Sequence, residues 1–162
     1  MSEAVDYNNV NELSAMSILN DHLVGQKYMN VCADIQFTEE EKKELSQTIT
    51  QVLEVCGIAR ARGIFAMHDY AAGTDNVFMK NILFLLSEKW MDFVGQSDVV
   101  YYWVKPILLS GGLKGVEFLK AILIYEGIIM ETYVGYPLEL VEYRLKSLLG
   151  ENMILEDIVP ID

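Results

Sequence analysis

The chain has 162 residues, of which 52% are hydrophobic and 22% charged, and its formal net charge is -12. That length fits one domain with a real core, and the composition excludes overall disorder. The acidic excess argues against a phosphate-binding face, and so against nucleic acid, and disfavours anionic membrane surfaces; a basic protein partner remains compatible.

The opening residues Met1-Ser2-Glu3-Ala4-Val5-Asp6 are acidic where a secretory signal needs a basic region. The most apolar stretch, Val99 to Met130, is broken by Lys105, Pro106, Gly111, Gly112, Lys114, Glu117 and Lys120. A span needs about 20 apolar residues in a row, so no membrane insertion and a cytoplasmic location are expected. Cys32 and Cys56 are too few and too isolated for a disulfide framework or a zinc site, and read as buried thiols.

Residues 1–36 read as a leading helical segment. Asn8-Asn9-Val10-Asn11 starts a helix, and Leu13, Met16, Leu19 and Leu23 give it an apolar stripe. Asp34-Ile35-Gln36-Phe37 is a connector into a helical domain over 37–150. Thr38-Glu39-Glu40-Glu41 is a helix start: Thr38 caps the free N–H groups and Glu41 closes a capping box. Leu45, Ile49, Val52, Cys56, Ala59, Gly63 and Ala66 then recur at steps of four and three, on one side of a helix running to Ala71-Ala72-Gly73. The stripe turns from large to small residues, which predicts a tight crossing over Ala59–Ala66 with Gly63 at a close helix–helix contact.

Asp75 caps the next helix, over 76–94, with Phe78, Ile82, Leu85, Leu86, Met91 and Phe93 apolar. Gly95-Gln96-Ser97-Asp98 is a turn. Val99–Leu109 has strand-favouring residues but no partner strand, so a short helix kinked or broken by Pro106 is expected. Gly111-Gly112 is a hinge. A helix follows over 113–134, ended by Gly135-Tyr136, and Pro137 sits in the first turn of the last helix, 137–149. Gly150 stops that helix. The tail, 151–162, mixes acids with Met153, Ile154, Leu155, Ile158 and Val159, and reads as packing back onto the body or as a docking peptide. The fold class expected is all-α, an antiparallel bundle-like arrangement of about five or six helices.

Catalytic signatures are missing from the sequence. Gly111-Gly112-Leu113-Lys114-Gly115 lacks the phosphate-loop spacing and the strand before it, and there is no nucleophile elbow. His22 and His68 each neighbour an aspartate, but adjacent helical residues point about 100° apart, and the two histidines are too far apart in sequence for a metal site. The expectation is a protein that is not an enzyme and that carries no cofactor and no metal.

Two separated blocks carry a resemblance. The first is Ala59-Arg60-Ala61-Arg62-Gly63-Ile64-Phe65-Ala66-Met67-His68; Asp75 to Lys80 and Met91-Asp92-Phe93 extend it. The second is Glu126-Gly127-Ile128-Ile129-Met130, then Gly135-Tyr136-Pro137, then Val141 to Leu149. Together they resemble the cytoplasmic parts of the flagellar stator subunit MotA, of the MotA/TolQ/ExbB type. In that family two membrane helices separate the blocks, whereas residues 95–115 here have room for about one span. The resemblance implies a cytoplasmic interaction domain without the channel, its proton pathway or its peptidoglycan-anchored partner subunit. It implies a partner-binding surface that docks through charges onto a rotor protein of the FliG type. Arg60 corresponds to the family's basic residue there, Arg62 adds a second charge, and His68 stands where the family has an acid. Two alternatives stand beside it: a self-associating helical protein with no motor role, and a small-molecule-binding protein with a pocket hidden in the bundle.

Overall fold

Thr38 starts the longest helix as its sequence requires. In the computed structural model, which describes residues 18–34, 36–89 and 98–150, the Thr38 hydroxyl accepts from the Glu41 N–H at 3.2 Å. The Glu41 carboxylate accepts in return from the Thr38 N–H at 3.1 Å, completing the capping box. The described elements are all helical: α1 (His22–Asp34), α2 (Glu39–Arg62), α3 (Met67–Gly73), α4 (Val77–Lys89), α5 (Asp98–Leu109), α6 (Gly115–Ile129) and α7 (Leu138–Leu149). Short 3-10 turns cover Ile18–Asn20 and Ile64–Ala66, and a single π-helical turn covers Met130–Val134. The chain is all-α and its helices pack in a bundle-like way. The proposed helix start at Asn8–Asn11, the turn before Asp98, Met91-Asp92-Phe93 and the tail lie outside the described residues.

Helix α6 is the hub. It packs against α1, α2, α4, α5 and α7. Phe118, Leu119, Ile122, Leu123, Ile124 and Ile128 are fully buried on different sides of it. A helix that is apolar all round has to be enclosed. Each such side chain contributes about 1.5–3 kcal/mol on burial. The outer helix α2 supplies Leu45, Ile49, Val52 and Cys56, four members of the stripe read from the sequence, and each is buried. Lys120 fastens the two helices through Glu44 at 2.7 Å and also pairs with Glu117 of its own helix at 3.0 Å.

Gly63 departs from its expected role. The stripe does not continue through it: α2 ends at Arg62 and a new helix starts at Met67. Gly63 has φ 88° and ψ 167°, a region essentially closed to side-chain-bearing residues, and its N–H closes α2 on the Ala59 carbonyl at 2.8 Å. It is exposed, and nothing lies within 4 Å of where a Cβ would stand. The close contact belongs to Gly127 in α6, where a Cβ would fall 2.3 Å from Val52 Cγ1 and 3.1 Å from Leu145 Cδ1. There α2, α6 and α7 converge.

Other boundaries shift by small amounts. Asn76, not Asp75, caps α4, its Oδ1 accepting from the Met79 N–H at 2.9 Å. Pro106 lies inside α5, where it neither breaks the helix nor ends it before Leu109. The helix expected over 113–134 is α6 plus the π-helical turn, stopped by Gly135 at φ 64°. Pro137 precedes α7 rather than starting its first turn.

Helix α1 closes one side through polar side chains. The Asp21 carboxylate caps it, accepting from the Leu23 and Val24 N–H groups at 3.1 and 3.2 Å. The same carboxylate takes Lys105 at 2.8 Å and the Tyr101 hydroxyl from α5. Lys27 donates to the carbonyls of Leu108 and Leu113 and lies over the Phe118 ring at 4.7 Å, neutralising the C-terminal end of α5. The Tyr28 hydroxyl donates to the Leu148 carbonyl at 2.5 Å near the end of α7. Leu23, read as part of the apolar stripe, is 53% exposed, because Ile18 and Val24 hold the buried positions instead.

Two outcomes follow from this packing. Gly127→Ala should cost about 1–3 kcal/mol through overpacking. Gly63→Ala should cost a similar amount, about 1–3 kcal/mol, through backbone strain. Chemical denaturation of the double mutants separates the causes: Val52→Ala should recover part of the Gly127→Ala loss and none of the Gly63→Ala loss. The second outcome concerns acid. Burial raises the Asp21 carboxyl, but the hydrogen bonds from Lys105, Tyr101 and the Val24 N–H outweigh it and lower the pKa to about 2. The unfolded value is about 3.9, so this stabilisation is fully present above that pH and is lost as pH falls towards 2. Thermal melts of wild type and Asp21→Asn should differ most near neutrality and converge between about pH 4 and pH 2.

Candidate functional site

The three residues expected at a partner surface do not share one role. Arg60, in the last turn of α2, turns to Glu131 in the π-helical turn. Its Nε donates to Glu131 Oε1 at 3.1 Å and its Nη2 to Oε2 at 2.5 Å, a two-pronged pair. The same Nη2 donates to the Tyr136 carbonyl. The Glu131 side chain is 7% exposed and that of Arg60 40%, so the arginine covers a buried carboxylate. Glu54, on the same helix, accepts from the Tyr70 hydroxyl at 3.4 Å. Arg60 therefore braces the end of α2 against the chain leaving α6.

Arg62 and His68 flank the corner that Gly63 makes between α2 and α3, and both are exposed. His68 Nε2 lies 3.5 Å from Glu88 Oε1 on α4, and its ring meets Phe84 edge-on with centroids 5.0 Å apart. Between them Phe65 sits in the 3-10 turn, 58% exposed. The corner thus carries an exposed aromatic ring, with an exposed arginine three residues before it and an exposed imidazole three residues after it. Sequence reasoning passed over Phe65 because it lies off the stripe; its signal was an aromatic residue next to a chain-reversing glycine.

A second feature lies between α6 and α7. A cleft of about 470 Å³ is lined by Tyr125, Ile129 and Met130 from α6 and the turn after it, by Tyr136, and by Leu140, Tyr143 and Arg144 from α7. Glu126 also lines it and is 5% exposed at its side chain, with Arg144 Nη2 3.7 Å from Oε2. The sequence signal was a single acid within the otherwise uncharged run Ala121–Met130, since buried carboxylates need a partner.

No protein-family model, curated protein or solved structure matches the chain.

Among the described residues no group of three or more His, Cys, Asp or Glu is placed to hold a metal ion. None of the described helices is long and apolar enough to cross a membrane. Cys56 is buried beside α6, its thiol directed at the Gly127 carbonyl at 3.7 Å. Burial, and then the Glu131 charge, push that thiol up to about 12, so it is not a nucleophile near neutral pH. Burial also raises the Cys32 thiol.

The two arginines of the first block should separate in stability measurements. Arg60→Glu places a second carboxylate against buried Glu131 and should lower the melting temperature clearly. Arg62→Glu, on an exposed side chain, should stay within about 0.5 kcal/mol of wild type by chemical denaturation.

Proposed function

We propose that this protein is a non-enzymatic protein–protein interaction module, similar to the cytoplasmic domain of flagellar stator subunits and working at the motor without a channel of its own. The observation that carries the reading is the exposed corner of Arg62, Phe65 and His68, in the block that resembles the stator's rotor-docking segment. Exposed aromatic residues and arginines are enriched at protein interfaces and among the residues that carry their binding energy. Arg60 contributes indirectly: it holds the end of α2 in place and leaves Arg62 as the outward charge. The partner on this reading is a rotor protein of the FliG type, offering carboxylates to Arg62 and an apolar socket to Phe65. With His68 in place of an acid, the module favours a more acidic partner face than the stator does.

The cleft supports a second reading, small-molecule binding, which is independent of the corner. Self-association through the corner is the remaining one, and it has its own signature: a mass that rises with concentration and falls back in Phe65→Ala.

The test is direct binding of the FliG-type protein from the same cell, measured at about 0.1 and 0.5 M salt. Wild type should bind, more weakly at the higher salt. Arg62→Glu and Phe65→Ala should each lose about tenfold or more in affinity with an unchanged melting curve. Absence of saturable binding by the wild type, or equal binding by both variants, would overturn the motor reading.

A further inference from the structure

The cleft between α6 and α7 has a chemistry that the docking corner does not use. Arg144 lines it, 37% exposed at its side chain, and its distance of 3.7 Å to Glu126 Oε2 is too long for a hydrogen bond. The guanidinium is thus held electrostatically by a deeper carboxylate while making no side-chain hydrogen bond to a described residue. An arginine carries five N–H donors in a flat fork that matches a carboxylate. Around it stand the rings of Tyr125, Tyr136 and Tyr143 with Ile129 and Leu140, surfaces that accept a flat or branched apolar body. The volume of about 470 Å³ lies in the range of small-ligand sites, which run from about 300 to 1,000 Å³.

We propose that this cleft binds a small organic monocarboxylate, with the carboxylate on Arg144 and an aromatic or branched aliphatic body among the tyrosines. Charge fixes the class. Arg144 and Glu126 together are neutral, so the site has no positive excess for a phosphate dianion. A monoanion needs only the unused donors of the fork, and Glu126 keeps that fork in place. The proposal does not rest on the docking corner, because none of Arg62, Phe65 and His68 lines the cleft.

The paired probes are 3-phenylpropionate and its amide, which share a body and differ in charge, titrated into the full chain by calorimetry and by two-dimensional NMR. The acid should saturate with a Kd of about 1 mM or below, and the amide should bind at least about tenfold more weakly. Backbone signals of Met130, Tyr143 and Arg144 should move with the acid. Leu140→Trp, at a position already 45% exposed, should fill the cleft and weaken the acid by about tenfold or more. Tyr143→Ala, at a position 75% exposed, is the second variant should Leu140→Trp fail to fold, and it should also weaken the acid. Equal binding of acid and amide, saturation absent up to about 10 mM, or shifts confined to another face would each overturn the proposal.

Discussion

From Ala121 to Glu131 every residue is buried, so α6 and the turn after it must be satisfied by their neighbours in every direction. For the apolar positions this is a matter of shape. Gly127 lets Val52 and Leu145 approach, and any added atom there meets one of them. For the two acids it is a matter of charge. A buried carboxylate without a partner costs several kcal/mol, so Glu126 and Glu131 each need a cation from another helix. Arg144 of α7 and Arg60 of α2 supply them. The placement of α2 and α7 around α6 is thereby fixed by packing and by charge at once.

The same constraint shapes both surfaces. Because Arg60 is held by Glu131 and the Tyr136 carbonyl, the end of α2 is anchored within a turn of Gly63. The corner carrying Arg62 and Phe65 then projects from a fixed base, which lowers the ordering cost of any contact it makes. On the other side, Arg144 reaches inward to Glu126 from a partly exposed position, and the space beside it is the cleft. The π-helical turn links the two features, since Glu131 lies in it and Met130, its first residue, lines the cleft. Such turns interrupt the regular ladder and recur at functional sites.

The sequence revealed what is decided locally. Thr38 and Glu41 are three residues apart, and their capping box needs nothing from the rest of the chain. The stripe of α2 was legible through Cys56 because a period of 3.6 is a local property. Gly63 was misread for the opposite reason. Ala66 continues the stripe in phase, and a missing side chain looks the same whether it admits a neighbouring helix or a φ of 88°. The Arg60 pair was hidden because Glu131 is 71 residues away. An arginine on a helix surface gives no local sign of which distant carboxylate it will cover. The cleft was hidden likewise: its walls come from two helices whose apposition only the fold supplies.

The charge distribution limits how the corner can work. The chain carries a net charge of -12, yet several of its cations are spent internally, with Lys27 on carbonyl groups and Arg60, Lys105 and Lys120 on carboxylates. An acidic partner approaching Arg62 therefore meets local attraction within a repulsive overall field. The Debye length decides between them: about 30 Å at 0.01 M salt, where the whole charge is felt, and about 10 Å at 0.1 M, where only the nearest groups are. At about 0.1 M salt the local arginine would therefore outweigh the net charge in such an encounter. On the docking reading proposed above, affinity would come mainly from burying Phe65, with Arg62 setting orientation and discriminating against basic surfaces.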